Sequence, residues 1–309
     1  MGTLKYIIKR FFEAIGTLFG VSIIAFGVTF LTGDPSVVML GNASSMTTEQ
    51  IAEFRHNYGF DRHWIVQYMD YLGKLLHGDL GNSLYHKQSN LSLIMNVMPN
   101  TIKLALWAFL ITVVLSVVIG ILIAVYRNSW FDRVMMVLSM VGQSMPIFWL
   151  ALMLILFFSV KLKWFPVSGM GTWKHLVLPV CSLAVASIAK NIRMIRTCML
   201  DVLSEDYIRT ARAKGQSNFI IIVRHGFRNA LIPIVTLLGT QFGGLLGGAV
   251  VTESVYAWNG IGRLALQAIN TKDLYLVQAC VIMLAFVFVV INLIVDLSYT
   301  FLDPRIKLE

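Results

Sequence analysis

Leu176-Val177-Leu178-Pro179-Val180-Cys181-Ser182-Leu183-Ala184-Val185-Ala186-Ser187-Ile188-Ala189 is a charge-free apolar run of only 14 residues, and whether it crosses a membrane decides the topology of the whole chain. A bilayer-spanning helix needs about 20 mostly apolar residues. Five other charge-free runs meet that length: 14–33, 104–126, 134–160, 229–252 and 274–295. By length alone, 176–189 is equally a buried or re-entrant segment. The flanking charges resolve it. Lys5, Lys9 and Arg10 put the N-terminus in the cytoplasm by the positive-inside rule. Residues 34–98 then lie outside, with Asp34, Glu49, Glu53, Asp61, Asp70 and Asp79 set against Arg55, Arg62, Lys74 and Lys87. Arg127 and Arg133 fall in a short inside loop. Residues 190–228 carry Lys190, Arg193, Arg196, Arg209, Arg212, Lys214, Arg224 and Arg228 against three acids. Unless 176–189 spans, this most basic stretch falls outside. The run is therefore read as a span extended to about residue 196, with Lys190 and Arg193 snorkelling or facing protein. Lys161, Lys163 and Lys174, on the outer side, run against the rule. The expected fold is an all-α membrane protein with six transmembrane helices and both termini cytoplasmic.

Composition points the same way. Of 309 residues, 57% are hydrophobic and 13% charged, against roughly 25% charged in an ordinary globular domain. The mean hydropathy is +0.73. A soluble surface needs more charge than this, and a disordered chain far less apolar side chain. Three cysteines, an odd count in or beside apolar stretches, imply no disulfide framework. The net charge of +9 is concentrated in cytoplasmic, juxtamembrane segments, which suits anionic lipid and excludes nucleic acid as a partner. The first run follows a basic stretch, as in a signal peptide. It is too long for such a segment and ends in no A-x-A-like site, so residues 1–33 are read as a retained transmembrane helix.

Two hydrophilic segments interrupt the spans. The outer one, 34–98, holds a helical stretch over 48–57 with Thr47 as N-cap. A second helix over 62–76 places Trp64, Tyr68, Tyr71, Leu72 and Leu75 on one face, and turns at Gly78-Asp79 and Gly81-Asn82 follow. The inner segment, 197–228, lies within the core 99–303. Ser204 precedes Glu205 and Asp206, an N-cap followed by acids at the positive end of a helix dipole. Tyr207, Ala211 and Lys214 follow at helical spacing, Gly215 supplies a left-handed C-terminal position, and Ser217 caps a second short helix. The small residues Ala211, Ala213 and Gly215 let another protein approach the backbone. On composition alone, an ordinary basic loop stays open as the alternative.

No phosphate-binding loop, H-E-x-x-H, G-x-S-x-G or C-x-x-C is present. The chain carries no equipment for chemistry and is expected not to be an enzyme; a conduit or scaffold remains, powered by a partner or an ion gradient.

The loop residues are more specific. Asp206-Tyr207-Ile208-Arg209-Thr210-Ala211-Arg212-Ala213-Lys214-Gly215 and Arg224-His225-Gly226-Phe227-Arg228-Asn229-Ala230-Leu231-Ile232-Pro233 closely resemble the EAA loop of ABC importer permeases, in the branch serving dipeptides, oligopeptides, glutathione and nickel. Further matching pieces are Gly33-Asp34-Pro35, Gly78-Asp79-Leu80-Gly81-Asn82-Ser83, Pro99-Asn100-Thr101, Trp258-Asn259-Gly260-Ile261-Gly262-Arg263, Asp273, Gln278 and Leu302-Asp303-Pro304-Arg305. Asn259 departs from the proline usual in the family and is expected to loosen a turn. The resemblance implies a type I ABC importer permease fold in the bacterial cytoplasmic membrane, with a cytoplasmic tail over 304–309. It implies a second homologous permease as heterodimer partner, two ATP-binding subunits that hold the ATP and magnesium, and an extracytoplasmic solute-binding protein. Glu205, Asp206, Tyr207, Arg209, Ala211, Ala213, Lys214, Gly215, His225, Arg228 and Pro233 would then couple the chain to the ATPase.

Other residues carry weaker readings. Gly239, Gly243, Gly244, Gly247 and Gly248 in the fifth span suit close helix packing, within the chain or against the paired permease, or else a pore lining through Gly243 and Gly247. Gln143, Ser144 and Pro146 interrupt the third span, as a packing kink or as pore contacts. Glu253 is read as an interfacial acid and Asp296 as the partner of a nearby base. His56, His63, His77 and His86 are too far apart in sequence for a compact metal site. Ser144 to Ala151 and Gly171 to Leu176 look like the nickel branch. Ser204 to Gly215 and Gln241 to Gly248 look like the peptide and glutathione branch, which is preferred. A stand-alone transporter or channel would need an intramembrane ionisable relay, and the spans are nearly free of one.

Overall fold

The computed structural model describes residues 2–31 and 48–302. Gly33-Asp34-Pro35, Thr47, Asp303-Pro304-Arg305, the tail 304–309 and the side chain of Asp296 lie outside the described residues. The regular structure described is helical, apart from one isolated bridge between Asn82 and Ser89. Helix α1 covers Gly2–Leu31, α2 Thr48–Tyr58, α3 Trp64–Leu76, α4 Asn90–Val125 and α5 Trp130–Ser144. Helix α6 covers Ile147–Leu154 and continues as a π turn over Ile155–Lys161. Then come α7 Trp173–Leu203, α8 Asp206–Ala213, a second π turn over Ile221–Phe227, α9 Arg228–Val255, α10 Ile261–Asn270 and α11 Leu274–Leu302.

Helices α1, α4, α7, α9 and α11 are each long and apolar enough to cross a membrane. Their outward side chains are apolar too: Phe12 and Ile24 on α1 and Val114 and Val118 on α4 are at least half exposed. Such surface suits hydrocarbon, in which the helix satisfies its own backbone hydrogen bonds. The short run 176–189 sits inside a 31-residue helix. It carries charge in its C-terminal half, where its polar side chains find protein partners. Arg193 donates to Gln143, and Arg196 donates to Asp132.

The run 134–160 is not a straight span. Helices α5 and α6 meet at 108°. Pro146 disfavours helical backbone at the residue before it, and Met145 is extended (φ −76°, ψ 127°), with Pro146 opening α6. The interruption expected at Gln143, Ser144 and Pro146 is thus a full corner.

Two compact units emerge. The first contains Ile102–Trp258. Its core joins Leu104 and Ala108 of α4, Val180, Leu183 and Ala184 of α7, Leu245 and Ala249 of α9, and Trp258. A second cluster joins Ala124, Ile195, Met199, Ala230, Ile234 and Leu238. Gly120 lets α4 and α7 touch: a Cβ there would stand 2.7 Å from Ile195 Cγ2 and 3.3 Å from the Ile192 carbonyl. Of the glycines on α9, Gly248 packs against Leu183 and Ile147, whereas Gly244 and Gly247 face open space. Glu253 is fully buried. The residue read as an interfacial acid thus sits inside the protein, and the Trp258 N–H bonds its carbonyl at 2.8 Å.

The second unit contains Ile7–Thr101 and Asn259–Val290. Its core gathers Ile94, Val97 and Met98 with Ile261, Leu264, Leu276 and Cys280. The scattered motif pieces meet here. Asp273 accepts from the Ser83 hydroxyl at 2.5 Å and from the Tyr85 and Leu276 N–H groups at 3.3 Å. Thr101 Oγ1 accepts from the Ile261 N–H at 2.9 Å, and the Asn100 side chain donates to the Asn259 carbonyl at 2.8 Å. Asn259 is therefore pinned through its backbone. Helix α3 lies on α1: Tyr68 meets Phe26 and bonds Ser22 at 2.9 Å. Trp64, expected on that same face, is exposed.

Candidate functional site

Helix α7 ends at Leu203, and Ser204 closes it, its hydroxyl donating to the Asp201 carbonyl at 2.7 Å. Ser204 is thus spent on the preceding helix. The N-cap of α8 is Glu205 in an extended conformation. The acids still stand at the start of α8, where the helix dipole favours them. The far end of α8 is a Schellman closure: the Gly215 N–H bonds the Arg212 carbonyl at 3.0 Å, the Gln216 N–H bonds the Ala211 carbonyl at 3.4 Å, and Gly215 has φ +71°. Ser217 then caps the next turn. The chain runs into the π turn, where Gly226 is buried close to Leu203 and Met199.

The eight residues of α8 have two distinct faces. Ile208 and Ala211 are buried and pack on Ile221 of the π turn. Asp206, Tyr207, Arg209, Thr210, Arg212 and Ala213 are exposed, as is Lys214 at the C-terminal cap. Arg209 pairs with Asp206 at 3.1 Å. Two apolar anchors below and a charged, tyrosine-bearing face above make a short, stiff, outward-presented helix. His225 joins it from the π turn, donating to Gln216 Oε1 at 2.8 Å. Ala211 is buried against the chain's own body, whereas Ala213 and Gly215 are exposed. Arg228 and Pro233 stand apart on α9, both exposed.

The suggested pore residues are dispersed. Gln143 and Ser144 end α5 and Pro146 begins α6, all three exposed. Gly243 is buried and Gly247 exposed on α9. Gln143 accepts from Arg193, and Ser144 bonds the Met140 carbonyl at 2.9 Å. The four histidines serve separate ends: His56 bonds Asp61 at 2.9 Å, His63 and His77 cap α3, and His86 meets Tyr85 edge to face.

Sequence reasoning missed one polar site. Asp132 is buried and takes two parallel hydrogen bonds from Arg196, each 2.8 Å, plus the Asn128 N–H at 2.9 Å. This bidentate pair ties the start of α5 to α7. An acid between Arg127 and Arg133 was the available signal.

Two family descriptions cover the chain. Residues 116–308 match "Binding-protein-dependent transport system inner membrane component" and residues 3–105 match its N-terminal counterpart. The dipeptide transport system permease protein DppB of Alkalihalophilus pseudofirmus is 38% identical, with 98% of this chain and 99% of that protein aligned. The glutathione transport system permease protein GsiC of Salmonella choleraesuis is 39% identical over the same shares. Among solved structures, the inward-facing MetNI methionine ABC transporter superposes with a TM-score of 0.55 at 17% identity, covering 70% of this chain and 97% of that one. At that identity the likeness speaks for the fold.

Proposed function

This chain belongs to the family of binding-protein-dependent transport system inner membrane components, and from that premise we propose that it is a permease subunit of an ATP-binding-cassette importer that carries short peptides across the cytoplasmic membrane. The observation that carries the reading is α8. A helix of two turns, held from below by Ile208 and Ala211 and ended by Gly215, transmits a push without bending. Its outer face, with Tyr207, Arg209, Arg212 and Lys214, is the surface that an ATP-binding subunit would grip. The chain supplies no phosphate loop of its own, so the power comes through this contact. Closure of two ATP-binding subunits would draw α8 and the matching helix of a second permease together, and the spans would rock between inward- and outward-facing states.

In this reading the bent pair α5–α6 counts as the sixth span, both termini are cytoplasmic, and residues 34–98 face the binding protein. The open glycines Gly244 and Gly247 accept the second permease. Gln143, Ser144, Pro146 and Gly243 border the passage. The names of the related permeases, dipeptide and glutathione, favour peptide cargo.

Reconstitution tests the proposal. The permease pair, ATP-binding subunits and binding protein together should accumulate dipeptide or glutathione in liposomes only with ATP present. Removing the ATP-binding subunits should abolish uptake. Cargo movement through the permeases alone would overturn the reading.

A further inference from the structure

A cavity of about 480 Å³ opens in the second unit, bounded by α1, the α2–α3 connection, α3, the turns after it and the start of α11. Its size falls in the range of small-molecule sites, roughly 300–1,000 Å³. The interior is aromatic: the Phe60 and Tyr275 rings stack at 6.4 Å, and Phe26 and Tyr71 add to the wall. The mouth is charged with both signs. Arg62, Asp70, Lys74 and Asp79 line the cavity and also the shallow depression beside it, which reaches His77. Arg62 and Asp70 pair at 3.0 Å, and Asp79 spends one oxygen on the Gly81 N–H at 2.8 Å.

One wall group is unsatisfied. The Tyr71 hydroxyl is buried and has no hydrogen-bond partner among the described residues. An orphaned buried hydroxyl is destabilising, and a ligand oxygen beside it would remove that penalty. Burial first, then the neighbouring Tyr68, pushes its pKa up to about 12, so the phenol remains a donor at physiological pH. Gln278 of α11, itself almost fully buried, adds an amide to the same wall.

These features narrow the ligand. A simple anion meets Asp70 and Asp79, and a simple cation meets Arg62 and Lys74. A molecule bearing both charges and an apolar body suits mouth and interior together. We propose that this cavity is a binding site for a small amino-acid-like zwitterion of short-peptide size, its carboxylate toward Lys74 and Tyr71, its ammonium toward Asp79 and its apolar side chain against Phe60 and Tyr275. The site belongs to this chain alone; its lining points to a zwitterion, and the short-peptide class of that zwitterion rests on the peptide reading proposed above.

The test is calorimetric titration of the full-length protein in lipid nanodiscs with alanyl-phenylalanine, its C-terminal amide and its N-acetyl derivative. Saturable binding of the free dipeptide is expected, with both derivatives about tenfold weaker or worse, as for loss of one charge-assisted hydrogen bond. Lys74→Ala should weaken the free dipeptide by about tenfold and leave the amide unchanged. Tyr71→Phe removes only the hydroxyl; it should leave the unliganded protein at least as heat-stable and still weaken binding several-fold. A merely structural Tyr71 would not show that split. No saturable binding, or affinity indifferent to both substitutions, overturns the proposal. ATP-driven uptake by the reconstituted importer is scored separately: uptake without binding here defeats the cavity and spares the transport reading, and binding without uptake does the reverse.

Discussion

Gly215 is the residue on which the shape of the cytoplasmic loop turns. Its φ of +71° belongs to the left-handed region, and nothing lies within 4 Å of where a Cβ would be. A substitution there is therefore limited by backbone strain and not by space. A β-branched residue in that conformation costs about 1–2 kcal/mol, enough to unwind the end of a two-turn helix and to release the Gln216–His225 contact. Gly215→Val should cut peptide uptake per ATP hydrolysed several-fold in the reconstituted importer, whereas Gly215→Asn, which tolerates the same backbone, should stay near wild type. Equal coupling in both would mean that α8 is not a stiff connection. The sequence made Gly215 legible because a glycine after a periodic helix has few other reasons to be there. Ala211 was not legible in the same way. A small residue serves close approach from outside as well as packing from inside, and the deciding partner, Ile221, lies in a π turn that no simple periodicity announces.

At the scale of elements, α4 comes close to α7 at Gly120. Gly120 meets Ile195 so closely that an added methyl must displace either that β-branched side chain or the Ile192 carbonyl. Gly120→Ala should lower stability by about 1–3 kcal/mol, the cost of overpacking, seen as a lower thermal midpoint in detergent. Gly244→Ala on α9 meets open space. In the isolated chain it should be neutral or slightly stabilising through helix propensity, yet it should weaken co-purification of the paired permease if that partner seats against this face. A Gly244→Ala protein that assembles normally would move the partner contact elsewhere. The glycines on α9 drew attention in the sequence because they cluster, whereas Gly120, alone among bulky residues, makes the closer contact. Spacing marks where approach is possible; the facing side chain decides where it happens. The same holds at the α5–α6 corner. Pro146 was visible, but a charge-free run cannot tell a gentle kink from a turn of 108°.

For the molecule as a whole, that corner and the basic loop are one problem. Five helices are long and apolar enough to cross, and the bent pair is the sixth only if it carries the chain from one side to the other. If it does not, α7 starts on the side where Asn128 lies and delivers 197–228 to the opposite side from the N-terminus. Lys5, Lys9 and Arg10 would then face away from Arg209, Arg212, Lys214, Arg224 and Arg228. The positive-inside bias opposes that arrangement, and an ATP-binding subunit has no access to α8 in it. Run length makes α1, α4, α9 and α11 legible; α7, whose charge-free run is only 14 residues, reads as a span from the flanking charge. The run 134–160 reads as a span from its length, and length cannot show the corner at Pro146 that makes a crossing and a re-entrant hairpin alternatives. Cysteine labelling in intact cells decides it, in a background with Cys181, Cys198 and Cys280 replaced. Glu53→Cys and Ser168→Cys should react with an impermeant maleimide from outside. Asn128→Cys and Glu205→Cys should react only after the membrane is opened. Labelling of Ser168→Cys from the same side as Asn128→Cys would make α5–α6 re-entrant and remove the coupling role of α8 with it.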